Sequence, residues 1–476
     1  MRLIGNVEKD AQVRAVASGA LPSGDAVIVN SDGTVSVVVG VPQGLGSETV
    51  FESASVIDLS ATYDANAQKV VVAYTDNGNS RYGTAVVGTV SGTSITFGTP
   101  VVFESANTEE HTPVYDSNAQ KIVIGYQDRG NSDYGTAIVG TVSGTSISFG
   151  SPQVFHSGTV TQLSGAFDSN NNKVVFSYYN NSNGNAVVGT VSGTSISFGS
   201  TAVFESGSTS YTSTVYDTNA QKIVISYVDG GDSFKGKSVV GTVSGTAISY
   251  GSLTTFNNGS TGFVGSVYDP DSQKVIVTYA DNGNSSYGTA IVGTVSGTSI
   301  SFGSEIVFNA ASTQHTSATY DENTNTLVVA YRDVGNSNYG SLILGTVSGS
   351  SITFFDETVF NTAESNFVTA IYDAASNNCV ISYIDNGNSN YGTSIVYSVG
   401  DTNLTSENYI GFAAHTYADT QSALVNSTCT VDRNQTGLTA GQTYYVQTDG
   451  SLGTTAGSPS VVAGTAISST EIIVKG

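Results

Sequence analysis

The sequence predicts an all-β fold, a seven-bladed β-propeller joined to a small β-barrel or sandwich-like domain built from both chain ends. Three observations predict it. A phrase of about 50 residues recurs seven times, each apolar run in it is short and rich in Val, Ile and Tyr, and a copy of its last strand stands alone before the first unit. Tyr74, Tyr126, Tyr178, Tyr227, Tyr279, Tyr331 and Tyr383 open the phrase at intervals of 52 residues, with one of 49 where the loop after Tyr178 shortens to YNNSNGN.

The elements follow in chain order. Residues 1–40 hold the stretch GALPSGDAVIVNSDGTVSVV (19–38), a turn, a strand, a DG hairpin turn and a second strand. The propeller is assigned to residues 41–401. It opens with the orphan strand SETVFESAS (47–55). The first full unit then runs SATYD (60–64), a turn, KVVVAY (69–74), the loop DNGNSRY (76–82), GTAVVGTV (83–90), a turn, and ITFGTPVVF (95–103). Four short strands bounded by Gly, Asn, Asp and Ser make one blade. The seventh unit ends at YGTSIVYSVG without a clear copy of its outer strand, so the orphan is expected to complete it and close the ring, which removes an open sheet edge. Residues 402–476 return with YIGFAAHTYADTQSALV (409–425) and a second turn-strand-DG-strand stretch (436–455) to finish the small domain. An inserted domain of this kind needs its two ends close together, and a closed ring supplies that.

Composition excludes several classes. A net charge of −23 with 15 Lys plus Arg leaves no basic surface for a phosphate backbone, so nucleic acid is not an expected partner. Cys379 and Cys429 are too few for a disulfide framework and wrongly spaced for zinc, and both are expected as buried thiols. No run of 18 apolar residues could cross a bilayer. Glu8, Lys9 and Asp10 interrupt the place where a secretion signal would need its apolar core, so none is expected. No cofactor and no metal site is expected.

Most of the phrase reads as scaffold. The pairs Tyr63/Asp64, Tyr115/Asp116, Tyr216/Asp217, Tyr268/Asp269, Tyr320/Asp321 and Tyr372/Asp373, with Phe167/Asp168, place an inter-blade aromatic before a carboxylate that starts a turn. The DxGNS loops, with Asp76, Asp128, Asp281, Asp333 and Asp385, are expected as Asx turns, because a Ca²⁺ ion gathers six to eight oxygens and one loop offers two or three. The loop also loosely resembles the Asp-box of sialidase propellers, although Tyr82 comes one residue late.

Function is expected where the copies differ. Seven residues after the Phe of each outer strand stand Asp58, Glu110, Gln162, Tyr211, Phe263, His315 and Phe367. In a four-stranded meander this link and the DxGNS loop emerge on one face, so that face is diversified while the other carries uniform turns. Aromatic, acidic and amide side chains there suit stacking on and hydrogen bonding to a sugar or a partner protein, or they only fill loops. A glycosidase needs two facing carboxylates, for which Asp58 and Glu110 are candidates, and a sialidase needs an Arg cluster, whereas Arg81, Arg129 and Arg332 stand in different blades. No nucleophile motif or phosphate loop supports catalysis, and no enzyme activity is expected. His111, His156, His315 and His415 are expected on loops or the surface.

The flanks PSGDAVIVNSDGTVSVV, YIGFAA and GLTAGQTYYVQTDGSL resemble small β-domains in structural proteins of tailed-bacteriophage virions, and the repeat VGTVSGTSISFGS is similar to propeller proteins of marine phages, including cyanophages. The resemblance covers essentially the whole chain. It implies a virion structural protein, a tail-fibre, appendage or decoration component, present in multiple copies. Such a protein is assembled in the host cytoplasm beside other virion proteins and meets a host surface glycan or receptor after lysis. A purely structural decoration and a polysaccharide depolymerase are the alternatives.

Overall fold

The structure, a computed structural model, describes residues 12–41, 43–456 and 460–475. The reading of the N-terminus as lacking a secretion signal falls on Glu8, Lys9 and Asp10, which lie outside the described residues. The chain divides into two compact units, Leu45–Tyr397 and a second made of Met1–Gly44 with Ser398–Gly476.

Blade 1 shows how the repeat folds. Its innermost strand is the second half of Thr49–Asp64, which pairs with Lys69–Asp76 from Leu59 opposite Tyr74 to Asp64 opposite Lys69. Tyr82–Ser91 pairs next. The outermost strand comes in two pieces, Ser94–Phe97 and the start of Val101–Asp116, both on Tyr82–Ser91. Val101–Asp116 then continues as the innermost strand of blade 2, so one extended segment of 16 residues serves two blades.

Strand Lys69–Asp76 is buried along its length after Lys69, because each blade packs on a neighbour through both faces. Val71, Ala73, Ala85 and Val87 of blade 1 meet Ile122, Ile124 and Tyr126 of blade 2. This two-sided burial is why the sequence there reads as a continuous apolar run rather than an alternation. Each opening Tyr packs against the Phe of the preceding outer strand, Phe51 on Tyr74 through Phe360 on Tyr383, with ring centroids 5.1–5.4 Å apart in all seven pairs.

The ring closes as expected. Thr49, Val50, Glu52 and Ser55 pair with Ser394, Thr393, Gly392 and Tyr391 of the last blade, and the Gly46 N–H donates to the Val396 carbonyl at 2.8 Å. Phe51, Leu59 and Tyr74 pack with Val380, Ile384 and Val396. The Tyr63 hydroxyl accepts from the Ala375 N–H at 3.1 Å, so blade 7 rests directly on blade 1. Gly46 is required by contact, since a Cβ there would run into the Thr93 carbonyl oxygen.

In the second unit one five-stranded sheet interleaves the two chain ends, in the order Gln12–Val16, Ser422–Asn426, Tyr409–Ala413, Ala26–Val29, Val35–Val37. A further five-stranded sheet is wholly C-terminal, and Ile28 and Phe412 of the first share a core with Val446, Ala463 and Ile472 of the second. This is a small sandwich. Both DG turns form as expected, Asp32 accepting from the Thr34 N–H and Asp449 from the Ser451 N–H, each at 2.9 Å. One expectation is corrected: Cys379 is buried, but Cys429 is exposed. It sits in the turn before Val431–Asp432 with φ of 71°, where its N–H donates to the Val474 carbonyl and its side chain is held out of the core.

Candidate binding site at the centre of the propeller

The seven variable positions do not lie in inter-blade loops, which corrects the expectation. The outer strand runs unbroken into the next inner strand at five of the seven junctions, with breaks only at Val160 and at residues 206–208, and each variable residue stands on an innermost strand where its pairing slips. In blade 2 Glu109 pairs with Gln127 and Thr112 with Gly125, leaving Glu110 and His111 opposite Tyr126 alone. The same slip occurs in blades 3 to 7, and in blade 1 it comes one residue earlier, leaving Ile57 and Asp58 opposite Thr75. A bulge with its first residue left-handed usually places Gly there. Here Glu110, Gln162, Tyr211, Phe263, His315 and Phe367 hold φ between 49° and 59°.

The bulged strands surround a cavity of about 310 Å³ that all seven blades line. Asp58, Glu110, Tyr211, Phe263, His315 and Phe367 form its wall, and blade 3 contributes Leu163, next to Gln162. The wall has two characters. Across blades 4 to 7 the rings run in an arc, Tyr211 to Phe263 at 4.8 Å, Phe263 to His315 at 5.1 Å, and His315 to Phe367 at 5.3 Å. Across blades 1 to 3 the side chains are polar, and each reaches one blade onward. Asp58 accepts from the His111 N–H at 3.2 Å, Glu110 from the Leu163 N–H at 3.2 Å, and Gln162 from the Tyr211 N–H.

The electrostatics divide the same way. Burial, then the neighbouring charge of Asp58, pushes Glu110 up to about 7. Burial also opposes ionisation of Asp58, but hydrogen bonds and charge from His111 outweigh it and hold that carboxyl below the ordinary range. His111 Nδ1 lies 3.1 Å from Asp58 Oδ2, and its Nε2 is 2.9 Å from Thr108 Oγ1. His315 is pushed down to about 4 by burial and by the charge of Arg332, so it is neutral near pH 7.

The remaining candidates fall outside the cavity. Asp76, Asp281, Asp333 and Asp385 accept from backbone N–H groups two or three residues on, at 2.9–3.1 Å, and Asp128 opens the same short turn. They are turn formers. Among the described residues no group of three or more His, Cys, Asp or Glu is placed to hold a metal ion. Tyr115 and Tyr268 accept from the Asn66 and Asn219 N–H groups of the preceding blade, while Asp64 accepts from Asn66 and Ala67. Arg81 and Arg129 converge on Glu109, the latter at 2.6 Å, and Arg332 binds Glu364 at 3.0 Å together with Gln314 and Asn366. No Lys or Arg is among the described residues lining the cavity.

Two histidines were misplaced by sequence reasoning. His111 is buried against Asp58, and His315 belongs to the aromatic arc, whereas His415 is exposed as expected. His111 directly follows Glu110, but only the bulge, which turns two consecutive residues toward the centre, gives that adjacency meaning.

The pairings and the central cavity define a β-propeller protein. It is similar in structure to the Cps50 (Swd1) β-propeller domain of Myceliophteria thermophila, at 9% identity and a TM-score of 0.51, with 74% of this chain and 100% of that one covered. It is likewise similar to the BP39L lectin of Burkholderia pseudomallei, at 11% identity and a TM-score of 0.52, covering 74% of this chain and 99% of that one. No family model matches the chain, and no curated protein matches it.

Proposed function

We propose that this chain is a non-enzymatic recognition protein whose propeller takes the exposed end of a surface glycan, or another host-surface group, into its central cavity. The observation that carries this is convergence: copies that repeat one another closely elsewhere become unlike along the segment that enters each innermost strand, and six of the seven residues at one position of that segment wall one cavity. Side chains needed only to hold a bulge would be expected to repeat with the rest. A volume of about 310 Å³ lies at the small end of ligand sites and suits a monosaccharide-sized group. That a propeller of like architecture is called a lectin makes sugars the natural first probe.

The resemblance of flanks and repeat supports the second part of the proposal. The flanking sandwich attaches the propeller to a tailed-bacteriophage virion in many copies, assembled in the host cytoplasm and exposed after lysis. Repetition on a particle turns a weak single site into firm attachment, since effective concentration adds roughly two to four orders of magnitude. The test is a glycan array probed with the whole chain and with Tyr211→Ala, Phe263→Ala and Phe367→Ala. Retention that the substitutions abolish supports recognition at the cavity. No retention, or retention unchanged by them, removes it and leaves a purely structural decoration. Immunogold labelling of particles reports whether the chain is on the virion at all.

One observation favours a second reading. A carboxyl raised to about 7 beside one held low is the division of labour of a glycosidase. Against it, both carboxylates accept backbone N–H groups of the next blade. Release of reducing sugar from envelope polysaccharide, lost in Glu110→Gln, would establish that reading.

A further inference from the structure

We infer that the group this cavity takes is an organic cation, an ammonium centre carried on the ligand, seated against the aromatic arc with its charge toward Asp58 and Glu110. This rests on the recognition reading above and narrows its chemistry.

The arc comes first. A ring face carries the negative part of the aromatic quadrupole and attracts a cation held over it, more strongly when water is excluded. Tyr211, Phe263, His315 and Phe367 come from four successive blades, meet ring to ring at tilts of 39–53°, and together line one side of the cavity. His315 is the one ring of the arc able to take a proton, and it is held neutral, so it leaves a ligand cation unopposed. Burial keeps it so, with Arg332 second, and the Arg332 guanidinium is itself held on Glu364, Gln314 and Asn366.

The facing side supplies the charge. Asp58 is ionised. Glu110 stands one blade on, and burial together with the charge of Asp58 makes its own ionisation costly. His111 meets Asp58 and Thr108, and among the described residues no Lys or Arg of the cavity wall faces Glu110. A neutral sugar needs only hydrogen-bond partners. His111 offsets part of the Asp58 charge, and the repulsion that still opposes ionisation of Glu110 is relieved by an incoming positive charge. An ammonium is therefore favoured from both sides of the wall, by aromatic rings on one and by carboxylates on the other.

The test uses the whole chain and an isosteric pair. Choline and its neutral analogue 3,3-dimethylbutan-1-ol have the same shape and differ in charge, and glucose serves as a neutral sugar. Each is titrated at neutral pH and followed by saturation-transfer NMR and calorimetry. Choline is expected to bind at least about tenfold more tightly than the analogue, as a desolvated cation over aromatic faces requires. Phe263→Ala should abolish choline binding. Asp58→Asn and Glu110→Gln, which keep an acceptor for the backbone N–H groups, should shrink the choline preference. Equal or tighter binding of the analogue or of glucose overturns the cation inference while leaving recognition at the cavity intact. Absence of choline binding overturns it as well, and the glycan array then decides separately whether the cavity recognises anything.

Discussion

Phe367 holds φ at 49°, a conformation in which an L side chain is strained and a β-branched one collides with its own backbone. Such strain costs on the order of 1–3 kcal/mol and persists where the surroundings over-determine it. Phe367→Gly should therefore leave denaturant stability within about 1 kcal/mol of wild type while losing ligand, whereas Phe367→Val should lower it by about 1–2 kcal/mol. Two titrations give opposite slopes. Glu110 binds its proton more tightly folded, about 7 against an ordinary 4.5, so it lowers stability as pH rises through that window. His315 binds its proton less tightly folded, about 4 against 6.5, so it lowers stability as pH falls from 6.5 toward 4. Thermal unfolding across pH 4–8 should lose the first slope in Glu110→Gln and the second in His315→Gln. At this scale the sequence was informative because six copies supply a baseline for the seventh, which made the odd residues visible. The bulge was not legible, since nothing in the residues on either side of Glu110 or Phe367 marks a left-handed backbone.

The element that decides the architecture is Thr49–Asp64, whose first half closes the last blade and whose second half begins the first. Phe51 is 7% exposed and packs on Tyr74 and Phe97. Phe51→Ala should cost about 3 kcal/mol in urea unfolding, as for other buried aromatic truncations. Val50, beside it, is 41% exposed, and Val50→Ala should change stability by less than about 0.5 kcal/mol. Equal effects would mean the closing strand is not packed as described. This strand could be read from sequence because it duplicates a phrase absent from the seventh unit. The inner strands could not be placed so well: continuity of Val101–Asp116 through two blades removes the loop that the variable residues were expected to occupy. In the flanking unit the DG hairpins were legible from turn chemistry. The exposure of Cys429 was not, because its neighbours give no sign that the chain turns there.

For the whole molecule, the fold was legible and the site only half so, for a single physical reason. Fold follows from local patterns that recur every 52 residues, whereas the cavity exists only once residues from Asp58 to Phe367 are brought around one centre. Sequence can show that seven positions are unlike and in what order they follow around a ring, but not that they converge on one cavity, nor that His111 braces Asp58. The arrangement also sets the cost of losing it. A single ring removed from the arc leaves the inter-blade cores untouched, so binding and stability should separate cleanly, with Phe263→Ala losing ligand at a melting temperature close to that of wild type.

The most direct measurement is the position of a bound ligand in crystals of the whole chain soaked with choline or with the best ligand from the glycan array. Density between the Phe263 ring and the Glu110 carboxylate, inside the central cavity, is the predicted result. Ligand density in the grooves between outer strands with the cavity left unoccupied would contradict the account.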